Sequence, residues 1–258
     1  ILITLFVLNF ASSVAHPAHR RSKMISIIIP VYNEANNPYL KKILKLYSKL
    51  QQDPEQQIEV IFVDSSSTDG TRVYIENFGF KILNSSAPSR AARLNLGIKH
   101  SKGEIIFLNH PRSLPDERVF KHIERNKQQL GWGGLKHKFD HDHKLLNFTS
   151  WYSNNVRIKT KGILYLDHCL YFKKDFYKTP IPNVDIFEDT LLSIELLKSA
   201  EPEILPFSST TSAVRFTKNG IYRQALMNQL LKAGYNLNIS HKLMNKVYEK
   251  GLGLNTKY

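Results

Sequence analysis

Cysteine is almost missing from this chain of 258 residues: there is one, Cys169. That excludes an internal disulfide and a zinc site built on clustered thiolates. Its place in an apolar run reads as a small buried hydrophobe, and its isolation fits a reducing, cytoplasmic compartment. Acidic residues are also short, 22 Asp and Glu against 36 Lys and Arg, which leaves a formal charge of +14. An excess of that size must meet acidic partners or be held off by solvent. A nucleoside diphosphate would use a few of the charges, and an anionic membrane surface, such as the inner face of the cell membrane, many. Nucleic acid is set aside: the basic residues are scattered, and no helix-turn-helix, zinc-finger or aromatic-basic RNA motif gathers them. Long apolar runs are lacking as well. Ile1 to Ala15 is largely apolar but shorter than the about 20 residues that span a bilayer comfortably. It has no basic segment before it, as a secretion signal would, and a basic, proline-containing stretch, His16 to Lys23, follows. Residues 1–23 are therefore expected to be an extension outside the fold, which starts at Met24 and comprises a domain over 24–235 and a helical tail over 236–258.

What is present is a rhythm of short buried strands that end in polar loops. Val60 to Val63 is an unbroken β-branched and aromatic run closed by Asp64, followed by Ser65 to Thr71 with a turn at Asp69-Gly70. The run has the pattern of a strand covered on both faces. Its terminal carboxylate falls where open α/β sheets bind ligands. Ile25 to Val31 is a second such strand, leading through Tyr32 to Asn37 into a helix over Pro38 to Leu50, with proline in the first turn. A third, Glu104 to Leu108, ends in Asn109-His110-Pro111-Arg112. Strands alternating with helices predict a doubly wound, mostly parallel, Rossmann-like α/β sheet with its site along the carboxyl edge.

The order of these segments, Ile-Ile-Ile-Pro-Val-Tyr-Asn-Glu, Val-Asp-Ser-Ser-Ser-Thr-Asp-Gly-Thr, Ser89 to Gly97 and Gly103 to Leu108, resembles that of family two glycosyltransferases of the GT-A fold. Phe187 to Leu191 and Ser212 to Arg223 are similar to later motifs of the bacterial selenodomain-associated subgroup. The likeness covers roughly residues 24 to 235. It implies an inverting transferase, hexosyl or related, that moves a sugar from a nucleoside diphosphate sugar to the hydroxyl of an unidentified acceptor. It also implies a nucleotide-sugar site made of Pro30, Tyr32, Glu34, Asp64, Asp69, Arg90, Arg93, Asn109, His110, Asp167 and Arg215. The nucleobase would lie along Pro30 to Glu34 and Asp64.

The residues themselves leave alternatives open. Guanidinium forks suit phosphate, but Arg90 and Arg93 also fit a solvated helix face. Asp167 suits either the sugar donor or an ion pair. Where the family carries an Asp-containing motif for Mg²⁺ or Mn²⁺, this chain has Asn109, His110 and Pro111, so the usual carboxylate ligand is absent and no metal residue is assigned. Arg112, Arg90, Arg93, Arg215 and Lys218 would then meet the leaving diphosphate. The acids Glu188 and Asp189 begin a helix, a place that favours negative charge whatever their job. The resemblance makes Asp189 the base and Glu188 its capping or orienting partner.

Smaller features remain. Gly131 to Gly134 is expected to turn, and Leu164 to Phe172 to form an interrupted strand. Ser208 to Ser212 is expected to be a flexible loop, and Trp151 with Tyr152 either core or a sugar platform. Asp140-His141-Asp142-His143 is read as a solvated turn rather than a metal cluster. A second reading of the whole is a catalytically degenerate, nucleotide-binding relative that acts as a scaffold or regulator. A third is a basic surface binder on a borrowed fold.

Overall fold

The computed structural model describes residues 24–250; the expected extension over 1–23 and the end of the expected tail lie outside them. The strands are β1 (Ile25–Val31), β2 (Ile58–Asp64), β3 (Ile82–Asn84), β4 (Ile105–Leu108), β5 (Ser113–Pro115), β6 (Trp132–Phe139), β7 (Leu170–Lys173) and β8 (Glu203–Thr211). They form one eight-stranded sheet in the order β3-β2-β1-β4-β7-β6-β8-β5. Its first half, β3 to β4, is parallel. β7 then runs antiparallel to β4 and β6, β8 runs parallel to β6, and β5 closes the far edge antiparallel to β8. The architecture is a mixed α/β sheet with flanking helices.

Every residue of β1 is buried, because the sheet is covered on both faces. Ile27, Ile29 and Val31 join Phe62, Phe107 and Tyr171 in one apolar cluster, while Ile28 joins Val63, Ile106 and Leu170 in the other. Helix Pro38–Gln52 covers the first face with Leu40, Ile43, Leu44 and Tyr47, spaced to recur on one side of a helix. Asn37 caps it by accepting from the Tyr39 amide at 3.0 Å. Helix Arg90–His100 covers the second face with Ala91, Leu94 and Ile98. It lies so close that a methyl group on Gly97 would come within 2.4 Å of Ile28.

The chain leaves β1 for β2 and β3 on one side, then returns to place β4 on the other. Loops from the ends of β1 and β4 therefore diverge at the carboxyl edge, and the gap between them is where such sheets hold ligands.

Three local expectations are corrected. Gly131 to Gly134 does not turn, since Trp132 onward is β6. The glycine at 133 serves close approach, because a Cβ there would lie 1.8 Å from the Glu203 carbonyl. The hydroxyl-rich stretch after Phe207 is strand through Thr211 rather than loop. Its side chains are used inside the sheet: Ser209 donates to the Asp167 carbonyl at 2.6 Å and Thr211 pairs with Ser113 at 2.7 Å. Leu164 to Phe172 is a strand only from Leu170; Leu166–His168 is a tight helical turn, followed by Cys169 at φ +51°.

Helices Ile221–Asn236 and His241–Lys250 follow β8. They pack on the domain through Met227, Leu231 and Met244 against Ile186, with Phe187, Tyr235 and Tyr248 alongside. Among the described residues no helix is long and apolar enough to cross a membrane.

Candidate active site

The loops after β1 and β2 are knitted into one surface. Asp64 is 1% exposed and accepts from the Ser67 amide at 3.0 Å and from its hydroxyl. Ser67 in turn accepts from the Asn33 amide at 2.9 Å, and Asp69 accepts from the Ala35 amide at 2.9 Å and the Thr71 amide at 3.0 Å. Asp69 is thereby a brace between loops, and Asn33 and Ser66 take positive φ to close them. Pro30 is buried in β1 opposite Val63, whereas Tyr32 is 44% exposed. Arg93 lies beneath Tyr32, its guanidinium carbon 5.8 Å from the ring centroid, and donates to Ser65 and to the Pro88 carbonyl. Burial, and then neighbouring Arg90, draws the Arg93 pKa down to about 10, so it remains a cation at neutral pH.

A second group surrounds a cavity of about 270 Å³ beneath the carboxyl edge, bounded on its far side by the last helices. Arg90, His110, Arg112, Asp167, Asp189 and Arg215 line it. Phe187, at φ +68°, turns the chain so that helix Glu188–Leu197 starts with both acids buried. Glu188 is fully buried and accepts from Arg90. Asp189, 8% exposed, accepts from the Thr190 amide at 2.8 Å and the Leu166 amide at 3.3 Å. Burial, with the Glu188 charge beside it, pushes the Asp189 carboxyl up to about 7. Asp167 behaves oppositely. Burial works against its charge, but among the groups that face it, the His137, His168 and His110 rings and Arg157, the Arg157 cation keeps its charge and holds it below the usual carboxylate range.

Glu34 joins the two groups. It is 6% exposed and takes both forks of Arg112, at 3.2 and 3.3 Å. Burial outweighs Arg112 and raises its carboxyl. His110 Nδ1 accepts from the Arg112 amide at 3.2 Å, and burial, with Arg90 and Arg112 nearby, keeps the ring neutral. Arg215 reaches the cavity from helix Val214–Asn219, its guanidinium carbon 4.6 Å from the Tyr248 ring centroid.

Other expected contributors lie elsewhere. Asn109 is fully buried: its carbonyl accepts from Tyr47 at 2.8 Å, and its amide donates to the His110 and Ser113 carbonyls at 2.8 and 3.1 Å. That consumes the side chain inside the core, beneath the site. Pro111 offers only its carbonyl, which accepts from Asn37 at 2.7 Å. Trp151 and Tyr152 are 54% and 39% exposed and are neither core nor cavity wall. Lys218 is exposed outside the cavity. In the Asp140 to His143 segment, Asp140 accepts from the Ala213 amide at 2.7 Å and Tyr39 at 3.0 Å. Among the described residues no group of three or more His, Cys, Asp or Glu side chains could hold a metal ion. With Asn109 turned inward and Pro111 lacking a side-chain donor, the donor set does not fit a hard divalent cation.

The sequence reading missed Arg157, Tyr165, His137, His168 and Lys232. Fully buried His168 donates from Nδ1 to the Leu135 carbonyl at 2.9 Å, while Nε2 meets Ser153 at 2.7 Å and Arg157 at 3.1 Å. Burial, with Arg157 and His137 beside it and against the pull of Asp167, draws its pKa down to about 3, so it is a neutral acceptor toward Arg157. Arg157 stands on a π-helical turn, Ser153–Arg157, a distortion frequent at functional sites and invisible in residue identities.

Comparison with known proteins bears on the fold and on the first third of the chain. Residues 26–111 match the family model described as Glycosyl transferase family 2. Over 89 residues the chain is 38% identical to glycosyltransferase AglE of Haloferax volcanii, a match that covers 32% of this chain and 28% of AglE. The match thus spans less than a third of that relative's length. The S. aureus TarS 1–349 structure superposes with a TM-score of 0.60 at 15% identity, covering 91% of this chain and 75% of that one. TarS 1–349 with UDP-GlcNAc gives 0.57 at 19% identity over 73% and 58% of the chains. Mycobacterium tuberculosis glucosyl-3-phosphoglycerate synthase, solved with Mn²⁺, UDP and phosphoglyceric acid, gives 0.51 at 14% over 73% and 68%. The fold is GT-A, and the amino-terminal stretch 26–111 is similar to the Glycosyl transferase family 2 model.

Proposed function

We propose that the chain is an inverting glycosyltransferase that moves a sugar from a nucleoside diphosphate sugar to an acceptor hydroxyl, with Asp189 as general base. The observation that carries this is the division of labour at Glu188 and Asp189. Arg90 compensates the first, while the second stands on the cavity wall with a carboxyl at about 7, where a base works best near neutral pH. The nucleotide lies over the surface formed by Tyr32, Asp64 and Arg93, and the diphosphate faces Arg90, Arg112 and Arg215. That the likeness extends to TarS solved with UDP-GlcNAc and to a synthase solved with UDP supports this donor class. Asp189 takes the acceptor hydroxyl proton as its oxygen attacks the anomeric carbon. The bond to the diphosphate breaks, and guanidinium groups meet the departing charge. Asp69 and Asn109 act as braces.

The test is nucleoside diphosphate release from a panel of nucleotide sugars by the wild type and Asp189→Asn, with nucleotide affinity measured in parallel. Release by the wild type alone, at equal affinity, supports the assignment; equal release by both removes it. The second reading, a nucleotide-binding relative without turnover, is favoured by the buried Asn109 amide and by Pro111. Binding of nucleotide with no release from any donor would select it.

A further inference from the structure

The helical side of the cavity carries positive charge for which the donor reading has no use. Arg157 is 8% exposed, and among the described residues its hydrogen bonds go to neutral groups: the Ile163 carbonyl at 3.2 Å, Ser153 and His168. Lys232, half-buried on helix Ile221–Asn236, makes no hydrogen bond and no ion pair among the described residues. Both approach one ring: the Arg157 guanidinium carbon is 3.7 Å and the Lys232 Nζ 5.9 Å from the Tyr165 centroid. Among the described residues no carboxylate lies within 4.0 Å of either cation. Tyr165, Arg157 and Lys232 all line the cavity that holds Asp189.

A buried cation without a counter-ion in contact is costly, and like charges sharing a ring repel each other. Burial, and then Arg157, accordingly lowers the Lys232 pKa. Asp167 and Asp189 are the acids on the cavity wall, but Asp167 acts on Arg157 and Lys232 only from beyond 4.0 Å and offsets one of their two charges, and Asp189, with a carboxyl at about 7, is only partly ionised near neutral pH. The remaining positive charge is matched by a ligand that brings its own negative group.

The geometry points to an anion subsite formed by Arg157, Tyr165 and Lys232, which binds a phosphate or carboxylate group of the acceptor while the acceptor hydroxyl reaches Asp189. As an acceptor subsite it rests on the transferase reading. It assigns the acceptor to the class of anionic hydroxyl compounds and gives Arg157 and Lys232 a role in choosing it. Donor phosphates stay on the Arg90 and Arg112 side, so the two anions bind together.

Calorimetric titration of the full chain with UDP, then of the UDP-loaded protein with inorganic phosphate and separately with acetate, tests this. Phosphate, acetate or both should bind without displacing UDP, and the tighter of the two identifies the acceptor's group. Lys232→Met, which keeps the stem and removes the charge, should weaken that binding about tenfold or more while UDP affinity stays within about twofold. Thermal melting confirms that the variant folds. Competition between the anion and UDP, an anion affinity unmoved in folded Lys232→Met, or no anion binding at millimolar concentration would each overturn the subsite. Absence of UDP binding beside a Lys232-dependent phosphate site would instead overturn the donor reading, and with it the acceptor role, while leaving the anion site standing.

Discussion

The Arg90 guanidinium donates to the fully buried carboxylate of Glu188, and this pairing separates two sequence neighbours that would otherwise compete for one charge. Arg90 sets a cation against the Glu188 carboxylate. Asp189 must ionise beside it in a nearly dry site, which accounts for a carboxyl at about 7.

Activity should therefore follow the ionisation of Asp189. A base works deprotonated, so turnover rises with pH and levels off above about 7. Asp189→Asn should lose roughly 10²- to 10⁴-fold in rate, as expected for removal of a general base, with nucleotide affinity unchanged. A pH–rate profile of the wild type checks the first statement and single-turnover kinetics the second.

The same carboxyl should cost stability. A carboxyl raised in the folded state stabilises the fold below its unfolded pKa, and that contribution is lost as pH rises through about 7. Asp189→Asn should then melt higher than wild type at pH 8 and nearly equal to it at pH 4. A higher melting temperature for the wild type at pH 8 would refute the uncompensated-charge account.

Removing Arg90 should do more harm than removing the pair. Arg90→Met leaves Glu188 buried without its cation, at a cost on the order of 3 kcal/mol. Arg90→Met combined with Glu188→Leu should recover much of it. Denaturant melts of the singles and the double form the cycle that checks this.

Two glycines should differ in what they tolerate. A Cβ at Gly97 meets the Ile28 side chain, which can shift, whereas at Gly133 it meets the Glu203 backbone at 1.8 Å. Gly97→Ala should cost about 1–3 kcal/mol. Gly133→Ala should cost more by parting β6 from β8, as denaturant melts of both would show.

Much of this was readable in the residues. The apolar runs of β1, β2 and β4 announce themselves because both faces of those strands are buried, and Asp64 and the Glu188-Asp189 pair stand at the element ends where chemistry collects. The strand after Phe207 was not readable: its serines and threonines lack an apolar alternation, and they hold the sheet through hydroxyl bonds to Asp167 and Ser113. Asn109 followed the right strand but points inward, a matter of rotamer and neighbours that no local pattern records. Arg157 and Lys232 resemble the exposed Lys159 and Lys161 in sequence, and only the packing of distant segments around Tyr165 sets them apart.

The most direct test of the account is nucleoside diphosphate release from a panel of nucleotide sugars, with and without Mn²⁺, by wild type and Asp189→Asn at pH 8. The account predicts release by the wild type and a loss of at least about 100-fold in the variant at unchanged nucleotide affinity. Equal rates in the two proteins, or tight nucleotide binding by a wild type that releases nothing from any donor, would contradict it.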